Sequence, residues 1–205
     1  MPGFSPVNPG KVEWSGENPG IYLKDDQGNW TTLAVFFKVV TSPLGGGTGV
    51  LVLGAPFQPL AFPAANNVCV TNNQPLMRWL IENFVSRFAS FNGAVALRKL
   101  SYLAATSFAT TAESTNFHQE SISGKGVEIE MRWEDLAEPF AVDVAPAMSA
   151  TGQHQMYSVF VEAQRGTIAV NGARLPGKII QRNFLDRRMS TAFLAFAETW
   201  ITPPR

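Results

Sequence analysis

Among the side chains able to do chemistry, three charged residues set inside apolar text need an explanation first. Lys38 stands in Phe36-Phe37-Lys38-Val39, Asp143 between Val142 and Val144, and Glu198 in Phe196-Ala197-Glu198-Thr199-Trp200. A carboxylate or ammonium turned to an apolar face loses hydration, shifts its pKa and becomes a usable acid, base or Schiff-base nitrogen. Strand alternation offers a simpler reading: every second residue faces water, and a lysine there also discourages stray strand pairing. The simpler reading takes precedence unless a pocket exists. If one does, Glu198 is the residue expected to carry its chemistry, with Tyr157 and Trp200 as walls.

His118 and His154 are the only histidines, and with Glu120 they have the makings of a two-histidine, one-carboxylate metal site. Their contexts, Asn116-Phe117-His118-Gln119-Glu120 and Gly152-Gln153-His154-Gln155-Met156, are polar and read as exposed loops where a histidine costs nothing. No metal and no cofactor is therefore expected. The Gly-x-Ser-x-Gly elbow of a serine nucleophile is absent. Cys69, the one cysteine, lies between Val68 and Val70, where apolar neighbours raise a thiol's pKa and work against reactivity. A single cysteine also excludes an internal disulfide. The run Gly45-Gly46-Gly47-Thr48-Gly49 lacks the Gly-Lys-Ser/Thr ending of a phosphate loop and leads into a strand, so it reads as a turn.

Composition narrows the function classes. The 205 residues are 45% apolar, enough to build a core, but only 16% charged, against roughly 25% in an average soluble domain. A surface this thin in charge is one that another subunit tends to cover, so homo-oligomerisation is expected. Sixteen basic and sixteen acidic residues cancel, which removes any general attraction for nucleic acid or anionic membrane. Arg182, Arg187 and Arg188 cluster, but Asp186 sits among them and no basic run can track a nucleic-acid backbone. No apolar run approaches the ~20 residues of a membrane helix. The first residues show neither a basic start nor an apolar stretch, so no secretion signal is expected, and the cytoplasm or an intracellular particle is the expected location.

The elements that must position these side chains are mostly strands. Residues 1–19, with Pro2, Pro6, Pro9 and Pro19, read as an extended arm without regular structure, followed by one β-rich domain over 20–202. A hairpin turns at Asp25–Asn29, a buried strand covers Val50–Leu53, and residues 54–66 read as irregular. Asn72 or Asn73 caps a helix over about 74–91, with Pro75 in its first turn and Leu76, Leu80, Phe84 and Phe88 as its apolar stripe. Asn92-Gly93 supplies its stop. Ala94–Thr111 reads as one long or two short strands, with a helical start at Val95–Leu103 as the alternative. Val127, Ile129, Met131 and Trp133 alternate strictly with Glu128, Glu130 and Arg132. Further strands fall at Phe140–Ala145, Met156–Glu162 and Thr167–Val170, the last ending in the hairpin dipeptide Asn171-Gly172. In the final run, Thr191–Ile201, Phe193, Ala195 and Ala197 share one face, and Leu194, Phe196 and Trp200 the other.

This pattern predicts a mainly β fold, an antiparallel sandwich, jelly roll or barrel with one amphipathic helix. Two functions fit it. The first is a structural protein assembling with copies of itself, such as a capsid, particle or tail component, without catalysis. The alternative is a β-barrel that binds a small apolar molecule, extending to a cofactor-independent enzyme that uses a buried carboxylate.

Overall fold

The computed structural model describes residues 9–58 and 67–204, so the expectations for residues 1–8 and 59–66 lie outside the described residues. The strands run β1 (Lys11–Glu17), β2 (Gly20–Lys24), β3 (Trp30–Thr41), β4 (Gly47–Gly54), β5 (Val68–Thr71), β6 (Ser101–Glu113) and β7 (Phe117–Gly124). They continue as β8 (Val127–Leu136), β9 (Phe140–Val144), β10 (Gln155–Val170), β11 (Ala173–Arg174), β12 (Gln181–Phe184), β13 (Arg187–Ser190) and β14 (Ala192–Thr202). Nine of them, in the order β2-β3-β4-β5-β6-β7-β8-β10-β14, close into a barrel when β14 pairs back onto β2.

Every pairing along this path is antiparallel except β5 with β6, which is parallel. A parallel pair cannot be joined by a tight turn and needs a crossover. The segment between them supplies it: α1 (Gln74–Asn83), then 3-10 turns at Val85–Arg87 and Val95–Lys99. Asn73 is the N-cap, its Oδ1 accepting from Leu76 N at 3.2 Å, while its amide ties down the glycine loop through Leu44 O and Gly46 O. The α-helix ends at Asn83 and does not run on to residue 91. Asn83 Nδ2 donates back to Trp79 O and Ser86 Oγ to Glu82 O, local bonds that compete with continued helix. Phe84 and Phe88 are thereby swung onto the ring of Trp200, at 5.3 and 5.9 Å.

Two further corrections concern strands. Residues 11–17, expected to be irregular, form β1, which pairs with β14 on one side and β3 on the other. β1 and β2 occupy the same slot between those neighbours, separated by Asn18 and Pro19. Proline donates no hydrogen bond, and the ladder breaks where it stands. Residues 117–124, expected to be an exposed loop around His118, form β7, with His118, Glu120 and Ile122 buried on its inner face.

The barrel interior is solid. Ile21, Phe36, Val52, Val70, Ile129, Met131, Trp133, Ile168 and Leu194, drawn from strands all round the wall, make one apolar cluster. Trp133 is fully buried, and its Nε1 donates to Gly20 O at 3.0 Å, so the ring's one polar atom is satisfied. A second apolar cluster covers the outside of β1–β5, β10 and β14, and α1 and the segment after it pack into it. Trp14, Tyr22, Phe37, Phe84, Phe91, Phe193 and Trp200 dominate that outer layer, mostly as edge-to-face pairs.

Gly16 sits where β1 is wedged between β3 and β14, opposite Val39 and Glu198. A Cβ there would collide with the Lys38 carbonyl oxygen and lie 2.9 Å from Val39 Cα. Both are backbone atoms that cannot swing aside. Gly16→Ala is expected to lower stability by about 3 kcal/mol, read as a lower urea midpoint with an unchanged slope.

Candidate functional site

The last strand decides which way Glu198 points. Tyr157 pairs with Thr199 but Val159 pairs with Phe196, so β14 carries one residue more than β10 between these two points. This is a β-bulge, and Ala197 within it has φ 51°. Uninterrupted alternation would put Glu198 and Trp200 on the face of Leu194 and Phe196, inside the barrel. The extra residue moves both to the face of Phe193 and Ala195, in the outer layer. The expected division of this strand is thereby corrected beyond Phe196.

Glu198 is 3% exposed. Its Oε1 accepts from Trp200 Nε1 at 2.7 Å and from Asn18 Nδ2 at 3.1 Å, while Oε2 has no protein partner among the described residues. Burial pushes the carboxyl's pKa up to about 7, against the pull of those two hydrogen bonds. Asn18 comes from the break between β1 and β2 and is 5% exposed; its Oδ1 is buried without a donor. Glu198 Oε2 and Asn18 Oδ1 thus have no hydrogen-bond partner among the described residues.

Both residues line a cavity of about 310 Å³. Its floor is the outer face of the barrel wall, with Tyr22, Met156, Phe160, Phe193 and Trp200 among the lining residues. Phe88 and Ser90 close one side and residues 148–150 another. The hairpin β12–β13, which pairs with no strand of the barrel, covers it with Arg182 and Phe184. The Arg182 guanidinium lies 5.4, 5.5 and 5.8 Å from the rings of Tyr22, Phe184 and Phe193. Its Nε is buried without a partner and its Nη1 has only a long bond to Ser90 Oγ at 3.4 Å. No carboxylate pairs with it among the described residues, and desolvation draws its pKa down while leaving it a cation. The Tyr22 phenol, 4% exposed, is pushed well above its ordinary value by burial.

The other candidates lie elsewhere. Lys38 is exposed and meets Glu17 at 3.3 Å across the β1–β3 pairing; with Thr48 of β4 opposite it on the other side, it faces solvent from a strand paired on both sides and guards no edge. Asp143 is exposed on β9 and accepts from Gln155 Nε2 at 2.6 Å. Tyr157 is 39% exposed, on the opposite face of β10 from Met156 and Phe160, and does not line the cavity. Trp200 does, at 2% exposure. His118 is buried rather than in a loop, bonded through Nε2 to Glu120 Oε1 at 2.8 Å, with Thr110 Oγ1 on Glu120 Oε2 at 2.9 Å. His154 belongs to the outer layer, against Phe84 and Trp200, with Nδ1 3.0 Å from Thr151 Oγ1. The two histidines belong to different layers, and no three His, Cys, Asp or Glu side chains among the described residues are grouped to hold a metal ion. Cys69 is fully buried and its thiol is pushed up to about 12. Arg187 stacks over Phe140 at 3.6 Å, apart from Arg182. No helix among the described residues is long and apolar enough to cross a membrane.

Sequence reasoning missed Asn18, Tyr22 and Arg182. Only Asn18 carried a local signal, the proline after it, which holds the preceding residue extended. No family description, no curated protein and no solved structure matches the chain.

Glu198 makes stability depend on pH in a known direction. Its folded pKa of about 7 lies above the ordinary 4.5, so the native state keeps a proton that the unfolded chain releases between these values. The contribution is full below the lower value and lost as pH rises through the upper one, about 3 kcal/mol in all. Urea unfolding at about pH 5 and about pH 8 checks this. The wild type is expected to lose most of that amount relative to Glu198→Gln, whose amide carries no charge.

Proposed function

We propose that the protein binds a small, largely apolar molecule in the cavity between the barrel wall and the β12–β13 hairpin, with Glu198 as the hydrogen-bonding acid at its floor. The observation that carries this reading is the Glu198 carboxyl, 3% exposed and lining that cavity, one oxygen of which has no protein partner among the described residues. Leaving a buried polar atom unmet costs about 1–3 kcal/mol, and a bound molecule offering a hydrogen bond offsets that cost. The volume of about 310 Å³ sits at the lower end of the ~300–1,000 Å³ typical of ligand sites, and apolar walls with a few converging polar groups are their usual lining. An acid that titrates near neutrality also gives the site the means for proton transfer without a cofactor. The alternative drawn from the sequence is thus preferred, with the ligand outside the barrel rather than in its lumen.

An apolar fluorophore such as anilinonaphthalene sulfonate tests it. Saturable binding that quenches tryptophan emission is expected, weakened about ten-fold (~1.4 kcal/mol) by Ala150→Trp, which fills the cavity from an exposed rim position. Absence of saturable binding, or binding indifferent to Ala150→Trp, overturns the reading.

Self-assembly has one specific observation behind it. β5 pairs with β6 only over Ser101–Ala104, and beyond that the β5 side of β6 has no strand partner among the described residues. Residues 105–112 are Ala, Thr, Ser and Phe, without the lysine or proline that guards a free edge. A second copy pairing along this edge is the assembly we propose alongside ligand binding. Light scattering at micromolar concentration is expected to show a dimer that Ser107→Lys combined with Ala109→Lys converts to monomer; a wild-type monomer refutes it.

A further inference from the structure

The cavity's polar groups specify more than that something binds. Arg182 is a cation held among three aromatic rings, with a buried Nε lacking an acceptor and no carboxylate within ion-pair reach among the described residues. Glu198 lines the same cavity, yet the two do not pair. A guanidinium taken out of water without an anion is costly, and breaking up a buried pair costs several kcal/mol for the same reason. The fork of N–H groups matches carboxylate and phosphate geometry in two-point contact, and a carboxylate's single charge balances the one guanidinium in the cavity. The Tyr22 hydroxyl, also in the cavity and without a hydrogen bond to protein among the described residues, is a second donor for the same anion. Asn18 and Trp200 both donate to Glu198 Oε1, so Oε2 is the group a cationic head would meet instead, the arrangement that octylammonium tests.

We propose that the ligand is an apolar monocarboxylic acid, its carboxylate held by Arg182 and the Tyr22 hydroxyl and its hydrocarbon body against Phe160, Phe193 and Trp200. This rests on the cavity reading above and names the class of molecule that fills it. Glu198 in its neutral form shares the cavity with such an anion, and once ionised it repels it. The other charged groups around Glu198 are Arg182 on the hairpin and Arg87 at the rim, both cationic throughout the relevant range, and Tyr22 keeps its proton. Carboxylate binding therefore weakens as pH rises through neutrality, and the change belongs to Glu198 alone among them.

Octanoate, octanol and octylammonium, equal in chain and different in head, form the test, each titrated against tryptophan fluorescence at about pH 6. Octanoate is expected to bind about ten-fold more tightly than octanol. Arg182→Met should abolish that preference, octanoate then binding no better than octanol, and the variant's urea midpoint reports that it is folded. Raising the pH to about 8 should weaken octanoate in the wild type and not in Glu198→Gln. Octanol binding as well as octanoate, or octylammonium binding best, overturns the carboxylate assignment and leaves the cavity reading standing. Failure of all three to bind overturns both.

Discussion

β14 is the strand on which both layers of the molecule depend. It closes the barrel by pairing with β10 and β2, and it also pairs with β1, which extends the wall beyond the short β2. Leu194 and Phe196 face the filled interior, and Phe193, Ala195 and Trp200 face the outer aromatic layer. A closed barrel packed this way leaves no room for a ligand in its lumen. The cavity that Glu198 lines lies outside the wall, where the crossover, the 146–150 segment and the β12–β13 hairpin are laid over it. One extra residue in β14 determines that an ionisable side chain looks outward into that space.

The arrangement keeps an acid where water is scarce. Two hydrogen bonds to a single oxygen hold the Glu198 carboxyl in place, but they do not satisfy it, and the second oxygen stays available. Asn18 is fixed by donating its amide to Glu198 and its backbone N–H to Ala195 O at 2.9 Å, which leaves its own carbonyl oxygen unmet. Ala197, at φ 51°, adds the strain of a non-glycine residue in left-handed backbone. Strain, an unmet acceptor, a desolvated acid and an unpaired guanidinium all fall around one cavity. Folded chains tolerate such departures where a function depends on them.

Legibility followed from what each element asks of its inward positions. The strand Val127–Leu136 was plain because its inner residues are apolar and its outer ones charged. The Asn73 cap and the Asn171-Gly172 turn, at φ 50° and 75°, were plain because few residues tolerate those geometries. β7 was hidden because His118 and Glu120 occupy inward positions normally held by apolar residues, so its alternation reads as a polar loop. β1 was hidden among prolines and glycines, whose local preference for extended irregular chain was overridden by pairing on both sides. At the site, Glu198 and Trp200 were found because a carboxylate and an indole in apolar text are conspicuous. Their orientation was not, since a bulge flips every residue beyond it and only pairing with the neighbouring strand reveals one. Arg182 sits in a short polar hairpin whose docking against the outer layer is a tertiary fact with no local trace.

The scarcity of charge, which argued from composition for a surface hidden against other copies, also has an outlet within one chain. A filled barrel consumes apolar side chains from its whole circumference, and the outer layer consumes a second set from α1, β1–β5, β10 and β14. The large apolar side chains that stay exposed, such as Val40 on β3, Phe57, Met148 and Leu185, come from separate segments of the chain. Two of these, Met148 and Leu185, lie at the cavity, where the proposed apolar ligand would cover them. What composition alone asked for is therefore largely met by two cores stacked on one wall. The self-association proposed above depends instead on the open edge of β6, a stretch of backbone donors and acceptors whose need is geometric rather than hydrophobic.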